Sequence, residues 1–213
     1  MSRSIPSTCE TPGPVDAVVW DFGNVLVRWD PAAAFVERWP REQFETMAER
    51  SGFWALNDNM DRATSNEELL EELASRDPEA AEFWRHYESH MPSSLFADIE
   101  GTAELVHELA DAGVPQYGLT NWNSTLAPKI PEVVPGSTRL QGYVVSALEQ
   151  QVKPDAAIFH TLIERFGLVP ERTLFIDDRE ENTAAAAALG FQVHTFATPH
   201  GAPELRAHIA QLG

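Results

Sequence analysis

Short apolar runs recur along the chain and are separated by polar or amphipathic segments. They cover residues 17–20, 117–119, 143–145, 174–176 and 191–196. A continuous run of this length, without alternating polar positions, is typical of a strand that is buried on both faces. The pattern therefore predicts five strands in the interior of one sheet.

Amphipathic helices are predicted between these runs. Ile158, Leu162 and Phe166 recur at helical spacing, with Pro154 before the segment and Gly167 just after it. Strands that alternate with helices imply a parallel sheet, because parallel neighbours need crossover connections that cover both faces. We therefore predict a three-layer, Rossmann-like α/β core.

One stretch breaks this alternation. Residues 31–94 lack a convincing β run, and Asp77-Pro78 begins a segment that carries Phe83, Trp84 and Tyr87 at helical positions. A helical insert is predicted here. The resulting division is a disordered tail over 1–14, an α/β core over 15–30 and 95–213, and the insert over 31–94.

Composition and charge narrow the classes of partner. The 213 residues are 43% hydrophobic, enough for one domain with a smaller insert. There are 33 acidic residues against 15 Lys plus Arg, a formal net charge of -18, which disfavours nucleic acid and anionic membranes as partners. A phosphorylated substrate would need a local positive centre.

The expected location is the cytoplasm. The single cysteine, Cys9, excludes an intrachain disulfide, and the chain has neither a signal-like apolar segment at its start nor an apolar run of membrane-spanning length. The sequence leaves the oligomeric state open.

Polar side chains follow several of the predicted strands, and one precedes a predicted helix. In a parallel sheet the carboxyl ends of the strands share one edge, where open α/β folds bind ligands. Each residue alone has an ordinary explanation as a turn former, a helix cap or a surface ion pair. Their convergence on one edge indicates a site. These residues are Asp21, Thr120, Asn121, Lys153, Asp177 and Asp178.

Their order along the chain resembles the four motifs of the haloacid dehalogenase superfamily, and the match extends over nearly the whole chain beyond the tail. The helical insert is similar to the small helical cap of that family. The stretch 20–26, Trp-Asp-Phe-Gly-Asn-Val-Leu, resembles a branch that includes sugar-phosphate phosphatases, among them glucose-1-phosphate phosphatases.

The resemblance implies a Mg²⁺-dependent hydrolase of a small phosphate ester. Asp21 would be the nucleophile and would form a covalent aspartyl-phosphate that water then cleaves. Magnesium prefers about six oxygen ligands. The implied protein ligands are Asp21, the Gly23 carbonyl and Asp178, with Asp177 as a further ligand or as the holder of a metal-bound water.

The implied substrate contacts come from the other two motifs. The Thr120 hydroxyl and the Asn121 backbone amide would bind a phosphate oxygen, while Lys153 would neutralise the phosphate and keep Asp21 anionic. Trp122 directly follows Asn121 and is expected to line the substrate pocket.

The match departs from the family at Gly23, where most phosphatases of the superfamily carry an aspartate that serves as general acid. General acid catalysis contributes about 10²–10⁴ in rate. One remedy is a leaving group that departs readily, such as the anomeric oxygen of a sugar 1-phosphate. Another is an acid from the cap, for which the candidates are Asp58, Asp61, His86 and His90.

Two other functions remain open from the sequence. A 2-haloacid dehalogenase needs neither metal nor acid, but Asp177 and Asp178 would then face Asp21 without a cation, which raises their pKa values and repels an anionic substrate. The other hypothesis is a non-catalytic scaffold that binds a phosphorylated ligand, and Gly23 is the feature that favours it.

Overall fold

The computed structural model describes residues 14–212. The predicted tail over 1–14 therefore lies outside the described residues apart from Pro14, and Cys9 lies outside with it. Within the described range the strands are, in chain order, β1 (Ala17–Trp20), β2 (Val27–Trp29), β3 (Leu95–Asp98), β4 (Gln116–Thr120), β5 (Gly142–Val145), β6 (Thr173–Asp177) and β7 (Gln192–Thr195).

Ten α-helices, several of them preceded or followed by short 3-10 turns, occupy the same range. They are α1 (Phe44–Ser51), α2 (Phe53–Asp61), α3 (Glu67–Arg76), α4 (Pro78–His90), α5 (Thr102–Asp111), α6 (Ile130–Val133), α7 (Ser146–Glu149), α8 (Ala156–Phe166), α9 (Glu180–Ala188) and α10 (Ala202–Leu212).

The core is a five-stranded parallel sheet with the order β5-β4-β1-β6-β7. The predicted α/β fold is confirmed, and each predicted strand is found within two residues of its expected bounds. The central strand β1 is buried along its whole length, as its continuous apolar run predicts.

Alternate residues of the strands face opposite helical layers. Val19 and Phe175 belong to the apolar cluster that includes Phe159 of α8, and the rings of Phe159 and Phe175 are 5.4 Å apart. Trp20 lies in the other cluster, with Val106 of α5 and residues of α10. Helices thus cover both faces of the sheet.

Strands β2 and β3 form a separate antiparallel pair that the sequence did not predict. β2 has three residues and includes the exposed Arg28, so its apolar pattern is too short to stand out. The pair lies at the two ends of the stretch 31–94. That stretch, which is wholly within the described range, contains helices α1 to α4 and no strand.

Aromatic side chains hold the helical stretch together. Phe35 and Phe83 are stacked with ring centroids 3.9 Å apart, and Phe53 packs edge-on against Tyr87 at 4.7 Å. The predicted start of α4 is confirmed, since the Asp77 carboxylate accepts a hydrogen bond of 3.1 Å from the Ala80 amide. Across residues 14–212, none of the helices combines the length and the apolar character that a bilayer span requires.

Candidate active site

A cavity of about 660 Å³ lies between the carboxyl edge of the sheet and the helical stretch. Residues from the core and from the helices α2 and α4 line it. The core contributes Asp21, Gly23, Asn24, Thr120, Asn121, Trp122, Asn123, Leu126, Lys153, Pro154, Asp178, Arg179, Glu181 and Asn182, and residues 29–91 contribute Trp29, Trp54, Asn57, Asp58, Asp61, Arg62, Tyr87 and Met91.

Asp21 is buried at the end of the central strand. Its backbone amide donates a hydrogen bond of 2.9 Å to the Ile176 carbonyl, which continues the parallel ladder by one residue. Trp20 pairs with Ile176 in that ladder, so Asp21 is next to Asp177 across the sheet. The neighbouring Phe22 is fixed by close packing, since a Cβ on Gly118 would lie 2.4 Å from its ring.

Lys153 is buried against Asp21 and Asp177. Its Nζ lies 2.8 Å from Asp21 Oδ1, 2.6 Å from Asp177 Oδ2 and 2.9 Å from the Leu119 carbonyl oxygen. Three acceptors satisfy the three N–H donors of an ammonium group. Although burial lowers the pKa of Lys153, the charges of Asp177 and Asp21 outweigh it, and the pKa lies above its ordinary value.

The loop that carries Lys153 is held by Asn121. The Asn121 side-chain amide donates to the Lys153 carbonyl at 2.9 Å, and its Oδ1 accepts from the Lys153 backbone amide at 2.8 Å. The sequence suggested a phosphate contact for the Asn121 backbone and missed this role of its side chain.

The two acids after β6 have different surroundings. Asp177 is completely buried, and both of its oxygens accept hydrogen bonds: Oδ2 from Lys153, and Oδ1 from the Arg179 amide and the Asn182 side chain at 2.9 Å each. Asp178 is half-buried and lines the cavity. The Asn24 side chain lowers the pKa of the Asp178 carboxyl, in opposition to burial.

The carboxylates of Asp21, Asp177 and Asp178 form a compact acidic cluster. Each offers an oxygen, and these oxygens lie within 4.8 Å of one another. Burial raises the pKa of Asp21 to about 7; Lys153 opposes the shift, whereas Asp177 and Asp178 add to it. Burial and then the charge of Asp177 also raise the pKa of Asp178.

This donor set fits a divalent cation of the magnesium type. One ammonium group cannot balance three carboxylates, so the fully ionised cluster has an uncompensated negative charge. Hard oxygen ligands are those that Mg²⁺ prefers. Because both Asp177 oxygens already accept hydrogen bonds, Asp21 and Asp178 are the side chains that remain available to a cation.

Thr120 and Trp122 also lie at this edge of the sheet. The Thr120 hydroxyl is buried and has no hydrogen-bond partner within residues 14–212, so it can donate to a ligand in the cavity. Trp122 is packed edge-on against Phe22 at 5.9 Å, and its backbone amide donates to Ser146 Oγ. Only its side chain is left for a ligand.

Of the four candidate acids of the insert, two line the cavity and two do not. Asp58 and Asp61 line the cavity. His86 and His90 do not line it in the described part of the chain; His86 Nε2 is 3.0 Å from the Ala34 carbonyl, and the two rings are stacked at 3.9 Å.

Several lining residues were not found from the sequence. Asn57 lies on α2, Arg62 directly follows it, and Trp29 ends the strand β2 that the sequence did not predict. Asn24 was visible only as a neighbour of Asp21, and its backbone has a φ of 58°, a left-handed conformation that asparagine tolerates better than most residues. No periodic or motif signal marks Trp29, Asn57 or Arg62.

A buried carboxylate after the central strand, a buried lysine bonded to it and an acidic pair after the neighbouring strand β6 define a carboxylate-lined site at the edge of an α/β sheet. The haloacid dehalogenase-like hydrolase model matches residues 15–190, so the chain belongs to the haloacid dehalogenase-like hydrolase family. The family that the motifs predicted is thereby confirmed.

Two comparisons with solved structures agree with this fold. A haloacid dehalogenase family enzyme from Bacteroides thetaiotaomicron, solved with magnesium and inorganic phosphate, has a TM-score of 0.67 at 19% identity, covering 90% of this chain and 98% of its own. A 2-haloacid dehalogenase from Pseudomonas syringae has a TM-score of 0.61 at 16% identity, covering 93% and 100%. Likeness at these identities concerns the fold.

Among curated proteins, a sesquiterpene phosphatase from Aspergillus oryzae is 31% identical over 86 residues, which is 40% of this chain. The matched region spans 44% of that relative, less than half of its length.

Proposed function

We propose that this protein is a Mg²⁺-dependent phosphomonoester hydrolase that acts through an aspartyl-phosphate on Asp21. The observation that carries the proposal is the position of Asp21, which is buried beside Lys153 and within 4.8 Å of Asp177 and Asp178. A carboxylate held in this way can attack phosphorus in line with the leaving oxygen.

The chain's own residues have distinct roles in this proposal. Lys153 binds Asp21 Oδ1 at 2.8 Å and favours the carboxylate form, which leaves Oδ2 for the attack. Asp177 holds Lys153 in place and can hold a metal-bound water. The unpaired Thr120 hydroxyl and the Asn121 backbone amide would bind a phosphate oxygen, with Trp122 at the edge of the pocket.

Asp21, Asp178 and the Gly23 carbonyl would hold the magnesium ion. When bound, the ion supplies positive charge that offsets the negative charge of the carboxylates and of the substrate phosphate. This meets the need for a local positive centre in a chain of net charge -18.

We propose further that residues 31–94 are a cap that covers the site and excludes water during the first displacement. Arg62 Nη1 lies 3.3 Å from Asp155 Oδ2, and this ion pair supports a position of residues 31–94 that is closed over the core. The substrate is proposed to be a small organic phosphate, in particular a sugar phosphate, in line with the resemblance of residues 20–26. The phosphatase among the curated relatives also supports a phosphate ester.

The test is phosphate release from p-nitrophenyl phosphate and from a panel of sugar 1- and 6-phosphates. The proposal expects release that requires Mg²⁺, stops with chelator and is lost in Asp21→Asn, while the exposed Glu132→Gln control retains it. Chloride release from a 2-chloroacid that resists chelator would select the dehalogenase. Binding of phosphate without turnover of any ester would select the scaffold.

A further inference from the structure

The proposed hydrolase lacks a general acid in its core. The position two residues after Asp21 is Gly23, and apart from its two chain neighbours no described residue has an atom within 4 Å of where its Cβ would be. The space beside the nucleophile is therefore open on the core side. A protein group that protonates a poor leaving oxygen, such as an alkoxide, would therefore lie on the other wall of the cavity, which residues of α2 and α4 form.

Asp58 and Asp61 are the two carboxyl groups of α2 on that wall, and their surroundings differ. Asp58 is exposed, and its Oδ2 is 3.1 Å from Arg62 Nε in an ion pair. Asp61 is half-buried. Within residues 14–212 its carboxyl group accepts one hydrogen bond, at 3.3 Å from the neutral Asn57 side chain.

We propose that Asp61 is the general acid of this hydrolase, supplied from the helical stretch in place of the acid missing at Gly23. The inference rests on the proposed function, because it concerns the leaving group of the ester that Asp21 attacks. Its basis is that Asp61 lines the same cavity as Asp21 and has no cation bonded to it.

The electrostatic setting of Asp61 favours the protonated form of its carboxyl group. Burial and then the neighbouring Asp58 charge raise the pKa of Asp61, and Asp21 adds to the shift. Lys153 and Arg179 act in the opposite direction. The ionisable groups around Asp61 are Asp58 on α2, Arg62 directly after α2, Tyr87 on α4, and Asp21, Lys153, Asp178, Arg179 and Glu181 in the core.

Asp61 would give up a proton when the aspartyl-phosphate forms and regain one when it is hydrolysed. In the first, an Asp21 oxygen bonds to phosphorus, the bond between phosphorus and the leaving oxygen breaks, and the Asp61 proton passes to that oxygen to give an alcohol. In the second, water attacks the phosphorus of the aspartyl-phosphate, its proton passes to the Asp61 carboxylate, and Asp21 is released as a carboxylate with inorganic phosphate.

The dependence of the rate on the leaving group tests this role. An alkoxide of a sugar 6-phosphate needs a proton to depart, whereas p-nitrophenolate departs without one. In Asp61→Asn we expect kcat/KM to fall by about 10² or more for the sugar phosphate and by less than about tenfold for the aryl phosphate. The wild-type loss of activity at high pH, where Asp61 ionises, should be absent from the variant.

Asp58→Asn is the matched control, since it removes a carboxyl group from the same helix and the same cavity wall. Because the Asp58 charge raises the pKa of Asp61, the loss of activity at high pH should begin at a lower pH in this variant. Below the pH of that loss, Asp58→Asn is expected to change the two rates by the same factor. An equal loss on both substrates in Asp61→Asn, with a normal melting temperature, would overturn the inference and leave the hydrolase intact. Full activity of Asp21→Asn on both substrates would instead overturn the proposed function itself.

Discussion

The side chain of Asn121 is hydrogen-bonded in both directions to the backbone of Lys153, 32 residues further along the chain. Asn121 follows β4, and Lys153 precedes α8. The pair fixes the loop that carries the ammonium group, and so sets its position between Asp21 and Asp177.

Asn121→Ala removes both of these hydrogen bonds. A backbone donor or acceptor left without a partner in a buried site costs about 1–3 kcal/mol, so the free energy of unfolding should fall by about that amount. Ester hydrolysis should fall as well, because Lys153 loses its position. Urea denaturation and the p-nitrophenyl phosphate assay measure the two effects.

Ser124→Ala is the control for this variant, because Ser124 is exposed on the same loop. Its stability should stay within about 0.5 kcal/mol of the wild type. If Asn121→Ala were as stable and as active as Ser124→Ala, the proposed support of Lys153 would be wrong.

Lys153→Met removes the one ammonium group bonded to Asp21 and Asp177 in the described structure. Breaking a buried ion pair on one side costs about 3–5 kcal/mol, because the remaining charges lose their partner. Chemical denaturation at neutral pH should show a loss of this size together with loss of hydrolysis. Lys129→Met, which alters the only other lysine, should show neither.

The elements that the sequence predicted well are the strands whose burial is visible as a continuous apolar run of neighbouring residues. A run such as Ala17–Trp20 is apolar because it is buried on both faces, and the parallel ladder then brings Asp21 and Asp177 to the same edge without further information. The pair β2–β3 was missed because neither strand is a continuous apolar run: β2 contains Arg28 and β3 ends in Asp98.

The residues of α2 and α4 that line the cavity could not be predicted from the sequence, for a different reason. Which face of α2 looks into the cavity depends on how the aromatic side chains of Phe35, Phe53 and Phe83 pack, and this is a tertiary arrangement. The sequence therefore offered no reason to prefer one of the four candidate acids of the insert. The packing of the helices is what places Asp61 at the cavity and His86 and His90 away from it.

Gly23→Asp offers a gain of function. The new side chain has space, since apart from the two chain neighbours no described residue has an atom within 4 Å of the Cβ position, and Gly23 is not among the glycines with positive φ. Introduced into Asp61→Asn, it should restore part of the lost kcat/KM on the sugar 6-phosphate. A folded double variant that hydrolyses aryl phosphate but gains nothing on the sugar ester would mean that a missing acid is not limiting.

Stability without metal should depend on the protonation of Asp21. Its pKa is raised from 3.8 to about 7 in the folded protein, so between these values the folded chain holds a proton that the unfolded chain has released. The contribution of this group is fully present below about pH 4 and is lost as the pH rises through about 7. In Asp21→Asn the loss of stability with rising pH should be smaller. Thermal melts in the presence of a chelator measure this difference.

Magnesium should reverse that loss. Binding needs deprotonated carboxylates, so Mg²⁺ should raise the melting temperature more at pH 7.5 than at pH 5. In Asp178→Asn the shift should be much smaller at either pH, whereas Glu132→Gln should retain it. An equal shift in all three proteins would place the bound cation elsewhere.

The central claim is that a divalent cation binds between the acids that follow the first and sixth strands. Crystals grown with Mn²⁺, which occupies the same octahedral oxygen sites as Mg²⁺ and scatters anomalously, test it directly. The account predicts one strong anomalous peak within coordination distance of Asp21 and Asp178, absent in Asp178→Asn. Well-ordered density with no peak there, and with the two carboxylates turned away from each other, would contradict it.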